Sequence, residues 1–389
     1  MSQRTDNSSQ ELFEAFLESE LTYDEERSRT RKLKYLSSDY SLFSENDYAG
    51  LARHPRVVEA VIKDLQDAQQ VGSGAARLLS GHSKQHAELE QRLAEFKGAE
   101  SALTFPSGYA AACGTVPVIV SHHDYVILDK HIHACFIDAV KISGATTRVF
   151  SHNNAEELEA ILKHIRQDNK SAKILIIVES LYSMAGDLAP LQDIVQLKNQ
   201  YNAWLMVDEA HATGLYGDNK RGLCEQKKIH HDVEIQMGTM GKALGVSGGY
   251  IVGNHKLVSL LTQRARSFLF TTGTAPALAT AILTAIEILQ SEEGSLKIRK
   301  LFENIKYYEG KMTKSTSTHF LSPIQFLRKE SPESALKLSH QLLEHQLYVP
   351  AIRFPTVPQN SPGLRISITS EHTHAQIDKL CHLLNHDSA

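Results

Sequence analysis

The chain has 389 residues, of which 42% are hydrophobic and 22% charged, so it is long enough for one large folded domain and a smaller one. Its formal net charge of −4 provides no basic field, and we therefore expect no nucleic-acid partner. The 4 cysteines lie far apart and form no CxxC pair, which opposes a zinc ribbon or a disulfide framework and favours a reducing cytoplasm.

Residues 1–45 are predicted to form an amphipathic helix followed by an arginine-rich connector. Apolar residues at helical spacing indicate the helix: Leu12, Phe13, Phe16, Leu17 and Leu21. This polar and acidic segment lacks the apolar core of a signal peptide. The most apolar helical run, from Ala275, is interrupted by Pro276 and Glu287 and falls short of the roughly 20 residues that span a bilayer. We expect a cytoplasmic protein without a membrane partner.

Helical and strand-like segments alternate over residues 46–289. RVVEAVIKDLQDAQQ and KQHAELEQRLAEFKG have helical spacing, whereas short runs such as KILIIVES and AWLMVDEA are rich in apolar residues and end at a polar one. Short buried strands between helices are typical of a parallel sheet covered on both faces. Residues 290–389 predict a smaller α+β unit. The fold class is therefore α/β, with domains at 46–289 and 290–389.

Polar residues that follow the apolar runs are the candidates for a site, because ligands bind at the carboxyl ends of strands in an open α/β sheet. Asp208 ends the run AWLMVD, where a buried carboxylate caps a helix or meets a cation, a ligand or a metal ion. Lys242 lies in the otherwise uncharged run MGTMGKALG, where dry surroundings lower the proton affinity of an amine and make it a nucleophile.

The combination of Asp208 and Lys242 favours pyridoxal phosphate as a cofactor. That molecule needs a lysine for a Schiff base, an acidic partner for its pyridine nitrogen and donors for its phosphate. A structural lysine in a glycine-rich turn is the alternative interpretation of Lys242. SGYAAACG opens a helix at the end of a strand, where free N–H groups attract a phosphate, although any tight strand–helix junction also needs a glycine.

The segment HIHAC places His131 and His133 at alternate positions, a spacing that suggests a metal pair. No acidic or cysteine ligand follows at zinc spacing, and the pair ends a strand rather than lying four residues apart on a helix. We therefore predict no metal site. An imidazole that stacks on a cofactor ring fits better, with a core histidine as the alternative.

These motifs occur in the order found in the α-oxoamine synthases, which are pyridoxal-phosphate enzymes of fold type I. The chain resembles that family from about Asn46 to its last helix, through GSGAARLLSGHSKQHAELE, SGYAAACG, LDKHIHAC, VESLYSMAGDLAPL, VDEAHATGLYG and TMGKALGVSGGY. The resemblance implies the type I transferase fold, with a large, mostly parallel sheet domain and a smaller C-terminal α+β domain. It also implies pyridoxal 5′-phosphate as the cofactor.

The resemblance implies a chemical role for four side chains. Lys242 forms the Schiff base and acts as the catalytic base, and Asp208 pairs with the pyridine nitrogen and keeps it protonated. His211 hydrogen-bonds the phenolic oxygen of the cofactor, and His133 stacks on the face of its ring.

Other matching positions imply binding roles. The phosphate is held by Gly108, Tyr109 and Thr239 within one subunit. Thr271 and Thr272 match a segment that reaches the phosphate of a neighbouring subunit, so a homodimer with shared active sites is implied. The carboxylate of the amino acid is clamped by Arg365. The further matching site positions are Asn46, Glu179 and Ser183.

The segment AIRFPTVPQNSPGLRISIT is most similar to the biotin-pathway members of the family. That likeness implies a condensation of L-alanine with a pimeloyl thioester, carried by CoA or by acyl-carrier protein, with loss of CO2. Arg353 is then a candidate for contacting the distal carboxylate of the pimeloyl chain, and a structural surface arginine is an equal alternative. Two departures bear on substrate fit: the usual GSGGSR is GSGAAR at residues 72–77, and an arginine often found near Arg365 is Gly363.

Three other functions stay open. Another α-oxoamine synthase, such as aminoketobutyrate ligase or an acyltransferase for glycine or serine, would keep the same central residues. A fold-type-I aminotransferase or lyase would keep Lys242 and Asp208 but would release no thiol. A non-catalytic binding protein would have no reason to keep the lysine, the aspartate and the histidines together.

Overall fold

A computed structural model describes residues 6–27, 30–313 and 320–387. The helices in chain order are α1 Asp6–Glu26, α2 Pro55–Ala68, α3 Lys84–Lys97, α4 Gly108–Ile119, α5 Ala134–Ser143, α6 Ala155–Asp168, α7 Leu191–Gln200, α8 Leu223–Gln226, α9 His255–Arg264, α10 Arg266–Leu269, α11 Pro276–Gln290, α12 Glu292–Lys311, α13 Pro332–Glu344 and α14 His374–Asn385. The strands in chain order are β1 Ser41–Leu42, β2 Ser101–Phe105, β3 Tyr125–Asp129, β4 Thr146–Phe150, β5 Ile174–Glu179, β6 Trp204–Asp208, β7 Ile235–Thr239, β8 Gly249–Gly253, β9 Ile324–Arg328, β10 Leu347–Tyr348, β11 Ala351–Ile352 and β12 Gly363–Ser367.

A seven-stranded sheet in the order β2-β8-β7-β6-β5-β3-β4 forms the centre of the molecule. Side chains of β5 alternate between its two faces, because successive residues of a strand point to opposite sides. Ile174, Ile176 and Val178 pack into one apolar cluster, whereas Leu175 and Ile177 pack into the other. Both faces of the strand are therefore buried, which explains why its sequence is continuously apolar.

The sheet is mostly parallel, which confirms the predicted fold class, and it departs from a wholly parallel sheet at one strand. Strand β8 runs antiparallel to both of its neighbours, β2 and β7. The connection from β7 to β8 is residues 240–248, and such a short connection reverses the chain where a parallel strand needs a longer crossover. The other four pairings of the sheet are parallel.

A second, three-stranded antiparallel sheet in the order β11-β12-β9 lies in the C-terminal part of the chain. Strand β1 pairs in parallel with β10, so a segment expected to be a connector joins the C-terminal part by backbone hydrogen bonds. The boundaries proposed at residues 46 and 290 stay a prediction. Among the described helices, none is both long and apolar enough to cross a membrane.

Candidate active site

Buried carboxylates meet at the carboxyl ends of neighbouring strands. Glu179 at the end of β5 lies directly opposite Asp208 at the end of β6, and Asp208 lies opposite Met237 of β7. Both carboxylates are almost fully buried. The parallel strands therefore bring together residues that are distant in the sequence, at the edge where ligands of such sheets bind.

The loop of residues 240–248 carries Lys242 into this edge. Gly245 adopts a φ of +68°, and a Cβ atom at this position would overlap the backbone of Leu51 and Ala52. Only glycine combines that conformation with so close an approach. The loop therefore packs tightly on residues 51 and 52, which fixes the position of the lysine.

Burial lowers the pKa of Lys242 to about 8, although the charges of Asp208 and Glu179 act in the opposite direction. Its Nζ atom lies 2.8 Å from Nε2 of His211. An amine with this pKa has an appreciable neutral fraction near pH 8, so it can serve as a nucleophile or a base.

A line of hydrogen bonds leads from Lys242 to the segment between β1 and α2. Nδ1 of His211 lies 2.7 Å from Oη of Tyr48, and this hydroxyl donates to Oδ1 of Asn46 at 3.1 Å. Burial holds the pKa of His211 well below its ordinary value and raises the pKa of Tyr48 to about 12. Neutral His211 then accepts from Lys242 at Nε2 and donates from Nδ1 to Tyr48.

Tyr48 was not predicted from the sequence, although it follows Asn46 by two residues in the segment NDY. The side chain is fully buried. A buried tyrosine usually needs a partner for its hydroxyl, but neither periodicity nor composition indicates that the partner is a histidine 163 residues away. The only sequence signal was its proximity to Asn46.

Arg365 of β12 joins the small sheet to this line. Its Nη2 donates to Oδ1 of Asn46 at 3.0 Å, its Nε to the carbonyl of Ser183 at 2.7 Å and its Nη1 to Oγ of Ser367 at 2.7 Å. A guanidinium has five N–H groups, so these three bonds leave two for an incoming carboxylate. Fixed orientation and burial of Arg365 suit a carboxylate clamp.

Glu179 has one oxygen in use and one without a partner. Its Oε2 accepts from the Ser183 N–H at 2.9 Å, whereas the buried Oε1 has no hydrogen-bond partner among the described residues. Burial raises the pKa of Glu179 to about 8, and the charge of Asp208 adds to the shift. An unpaired buried oxygen is costly, which points to a missing donor at this position.

Burial also raises the pKa of Asp208, against the charge of Lys242 and the N–H of Ala210. Oδ1 of Asp208 accepts from that N–H at 2.8 Å, so the expected capping role exists in part. The bond occupies one of its two oxygens. A partner with a positive charge at the other oxygen would relieve the cost of burying the carboxylate.

A small cradle of backbone lies beside Thr239. Helix α4 starts at Gly108, and a Cβ atom on Gly249 would lie 2.5 Å from the Gly108 nitrogen. Ser107 caps the helix by accepting from the Ala110 N–H, and the N–H groups of Gly108 and Tyr109 precede the first intrahelical bond. These groups and the helix dipole suit an anion.

His133 is exposed at the N-cap of α5, where Nδ1 accepts from the Cys135 N–H at 3.3 Å. Burial lowers the pKa of His133, and the charges of Asp208 and Lys242 also act on its imidazole, so the ring lies near these two groups. Its neighbour His131 turns away and stacks on His152. Among the described residues, no group of three or more His, Cys, Asp and Glu side chains suits a metal ion.

Three predicted residues lie outside the hydrogen-bonded line around Lys242. Thr272 forms a bridge with Ala76, and both Thr271 and Thr272 line a small hollow with Pro106. Arg353 is partly buried beyond β11, where burial lowers its pKa and the charge of Arg31 adds to the effect. The roles predicted for these residues stay predictions.

Comparisons with known proteins agree with this arrangement. The aminotransferase class I and II family matches residues 38–384. A protein of Geobacter sulfurreducens named 8-amino-7-oxononanoate synthase is 38% identical over 340 residues, which cover 87% of this chain and 86% of the relative. A protein of the same name from Fervidobacterium nodosum is 39% identical over 336 residues, which cover 86% of this chain and 84% of the relative.

A solved structure shares the same fold. The serine palmitoyltransferase from S. paucimobilis with bound PLP-myriocin aldimine superposes with a TM-score of 0.87 at 28% identity, covering 95% of this chain and 96% of that one. The mixed sheet, the carboxylates at its edge and the lysine of the β7–β8 loop thus occur in a chain that is similar to these enzymes over most of its length. This chain belongs to the aminotransferase class I and II family.

Proposed function

We propose that this chain condenses L-alanine with a pimeloyl thioester to 8-amino-7-oxononanoate, CO2 and the free thiol carrier, the reaction for which its relatives are named, with pyridoxal phosphate as the cofactor. The observation that carries the proposal is the placement of Lys242, with its lowered pKa, beside His211 and near the buried carboxylates of Asp208 and Glu179. The substrates follow from the name shared by relatives at 38% and 39% identity.

The residues at the site fit this cofactor. Lys242 offers an amine to an aldehyde, and Asp208 has an oxygen for a protonated pyridine nitrogen. The backbone at Gly108, with Tyr109 and Thr239, suits a phosphate, and exposed His133 has a ring face free to stack. The unpaired Oε1 of Glu179 is consistent with a donor supplied from outside the chain.

Bound pyridoxal phosphate supplies an electron-withdrawing ring that acidifies the Cα–H bond of the amino acid. Lys242 in its neutral form takes the Cα proton onto Nζ and later returns a proton to the same carbon. Asp208 would be kept ionised by a cation beside it and would in turn keep the ring nitrogen protonated. His211 keeps Nζ oriented through the 2.8 Å contact, and Tyr48 fixes the imidazole from the other side.

Arg365 binds the α-carboxylate of alanine through its two unused N–H groups and thereby orients the Cα–H bond. The acyl chain then approaches from the side of β11. Antiparallel pairing sets Arg365 near Pro350, and Arg353 directly follows β11 on the same segment. Arg353 remains our candidate for the distal carboxylate of the pimeloyl chain.

The assembly we propose is a cytoplasmic homodimer in which Thr271 and Thr272 of one subunit complete the phosphate site of the other. Thr271 is partly buried and Thr272 exposed between α10 and α11, a position compatible with a contact to a second copy. Four free cysteines support a reducing compartment.

A second candidate is condensation of serine with a long-chain acyl thioester. The TM-score of 0.87 to the serine palmitoyltransferase of S. paucimobilis favours it, because the backbone superposes on that enzyme over 95% of this chain. The two candidates differ in amino acid and acyl chain, and both keep Lys242 and Arg365.

The deciding experiment measures thiol release by the purified protein with alanine, glycine or serine and with pimeloyl, acetyl, succinyl or palmitoyl thioesters of CoA, together with pimeloyl acyl-carrier protein. We expect the highest kcat/KM for alanine with a pimeloyl thioester. The variant K242A should lose at least 1,000-fold in kcat, about the full contribution of an acid–base group. K63A, which alters an exposed lysine on α2, is the matched control and should retain full activity.

Release of thiol only with serine and palmitoyl-CoA would favour the second candidate. Transamination without thiol release would contradict both condensation reactions.

A further inference from the structure

Next to the turn that leads from β3 to His133, the side chain of His152 is held between two carboxylates. Nδ1 of His152 lies 2.8 Å from Oδ1 of Asp129, and Nε2 lies 2.7 Å from Oδ2 of Asp187. The Asp129 side chain is fully buried at the end of β3, whereas Asp187 lies in the loop between β5 and α7. The roles proposed above for the active-site residues use none of these three side chains.

Two carboxylates demand a doubly protonated imidazole. An ionised carboxylate only accepts hydrogen bonds, and a neutral imidazole donates from one nitrogen alone. A neutral His152 would therefore set a lone pair against a carboxylate oxygen. The ring of His131 stacks on that of His152, with the ring centroids 4.0 Å apart. The Tyr182 ring packs nearly perpendicular to the imidazole of His152, with the two ring centroids 4.4 Å apart.

Asp129 through its carboxylate and Asp187 through its backbone each support one wall of the candidate active site. Asp129 accepts from the His131 N–H at 2.7 Å and from the Asn153 N–H at 2.9 Å, and so shapes the turn that leads to His133. Asp187 lies in a turn whose backbone is bonded to Tyr182, and Tyr182 immediately precedes Ser183. Ser183 in turn contacts Glu179 and Arg365.

We propose that His152 is a positioning residue, an imidazolium held between Asp129 and Asp187. It fixes the turn at His133 against the turn at Ser183. The spacing between the His133 imidazole and the Arg365 guanidinium is set in this way. The functional half of this inference rests on the proposed function. The protonation half depends only on the geometry of the cluster.

The electrostatics agree with the geometry. Burial lowers the pKa of His152, but the hydrogen bonds and charges of Asp129 and Asp187 outweigh burial and raise that pKa to about 9. Burial lowers the pKa of the stacked His131, and the charge of His152 adds to this. The titratable groups that face His152 are Asp129, Asp187, His131 and Tyr182. The charge of Lys130 acts on His131.

The test compares H152F, which keeps a ring for the stack with His131 but donates no hydrogen bond, with D187N, which removes one carboxylate at constant size. H164F is the matched control, because His164 also faces an aspartate, Asp168, at 3.3 Å but is exposed on α6. Histidine side-chain 15N NMR should show one imidazole that stays doubly protonated up to about pH 9. That resonance should disappear in H152F and persist in H164F. A neutral His152 tautomer at pH 7.5 would overturn the proposal.

The functional readouts are the visible circular dichroism of added pyridoxal phosphate and separate values of kcat and KM for the amino acid. We expect H152F and D187N to change the dichroism, to raise KM for the amino acid about tenfold and to lower kcat, because both walls move. H164F should change none of these.

A merely structural role would lower the thermal midpoint of both variants but leave dichroism, kcat and KM of the folded fraction as in the wild type, and that outcome contradicts positioning. If H152F does not fold, D187N gives the same decision. If the wild type itself releases no thiol, the proposed function fails. The NMR and dichroism results then still decide whether His152 is an imidazolium that holds the two turns together.

Discussion

At the scale of single residues, Tyr48 decides how the lysine is oriented. The hydroxyl is the only described link between the His211 imidazole and Asn46, which also receives Arg365. Removal of that hydroxyl leaves the His211 Nδ1 donor without a partner and Asn46 Oδ1 with Arg365 alone, so the effect should exceed that of one exposed hydrogen bond.

Y48F should therefore lower kcat/KM for the amino acid by about tenfold, the equivalent of about 1.4 kcal/mol. The measurement is thiol release at varied amino-acid concentration. Y307F serves as the control. Tyr307 also donates to a side chain, that of Asp378, but it lies on α12 and takes no part in the hydrogen bonds around Lys242. Wild-type kcat/KM in Y48F would show that the tyrosine does not orient His211.

The pKa of Lys242 predicts how the cofactor-free protein takes up pyridoxal phosphate. Only the neutral amine attacks an aldehyde, and burial lowers the pKa of this amine to about 8. The association rate should fall about tenfold per pH unit below pH 8 and level off above it. Stopped-flow absorbance between pH 6.5 and 9.5 measures this rate.

The carboxylate of Glu179 acts to raise the pKa of Lys242, so E179Q should move the midpoint of that profile to lower pH. A profile that is flat from pH 6.5 to 9.5 in the wild type contradicts a lowered lysine pKa.

At the scale of elements, a buried ion pair joins the end of α3 to the end of β6. Nζ of Lys97 lies 2.8 Å from Oε2 of Glu209, with both side chains at most 1% exposed, and Oε1 of Glu209 accepts from the Cys224 N–H. Burial lowers the pKa of Lys97, but the charges of Glu209 and Tyr250 outweigh burial and raise it. Glu209, the residue after Asp208, thus has a structural role. Successive side chains at the end of β6 point to opposite sides, so Glu209 faces Lys97 rather than the candidate active site.

K97A should destabilise the protein by about 3–5 kcal/mol, because it leaves the Glu209 carboxylate buried without its partner. Urea unfolding measures the change. K63A, which removes an exposed ion pair on α2, should show no measurable change. The double variant K97M/E209L should recover most of the loss, and equal losses in the single and double variants would contradict the explanation by an unpaired charge.

Strands were predictable where they form a continuous apolar run that ends at a polar residue. Strand β5 and strand β6 are apolar runs, and both were predicted with the polar residues that end them. Strand β7 was missed because Gln236 and Gly238 interrupt the apolar residues of IQMGT, which therefore form no continuous apolar run. Gln236 is buried and donates to the carbonyl of His230, a contact that no local pattern indicates. Strand β1 was missed because two residues carry no period.

At the scale of the whole molecule, motif order and strand ends predicted the α/β fold and brought Glu179, Asp208 and Lys242 to one edge. The contacts that complete the site could not be predicted. Arg365 meets Asn46 across 319 residues, and His152 joins two turns from a loop without any motif. Such contacts depend on how separate elements pack, and hydrophobic periodicity describes only one element at a time.

Helix α1 is the one long helix whose side chains, from residue 9 to residue 26, are all exposed in the part of the chain that the structure describes. Leu12, Phe13 and Leu21 form its apolar stripe and are 60% to 72% exposed. A side chain that stays mostly exposed contributes little to the free energy of unfolding.

Deletion of residues 1–26 should therefore leave the urea midpoint of the protein unchanged, because the central sheet and both apolar clusters begin after that segment. Equilibrium unfolding and thiol release, each measured at low and at high protein concentration, test this. A loss of stability or activity that appears only at low protein concentration would contradict the prediction, since it would mean that the apolar stripe of α1 is buried between two copies of the chain and holds them together.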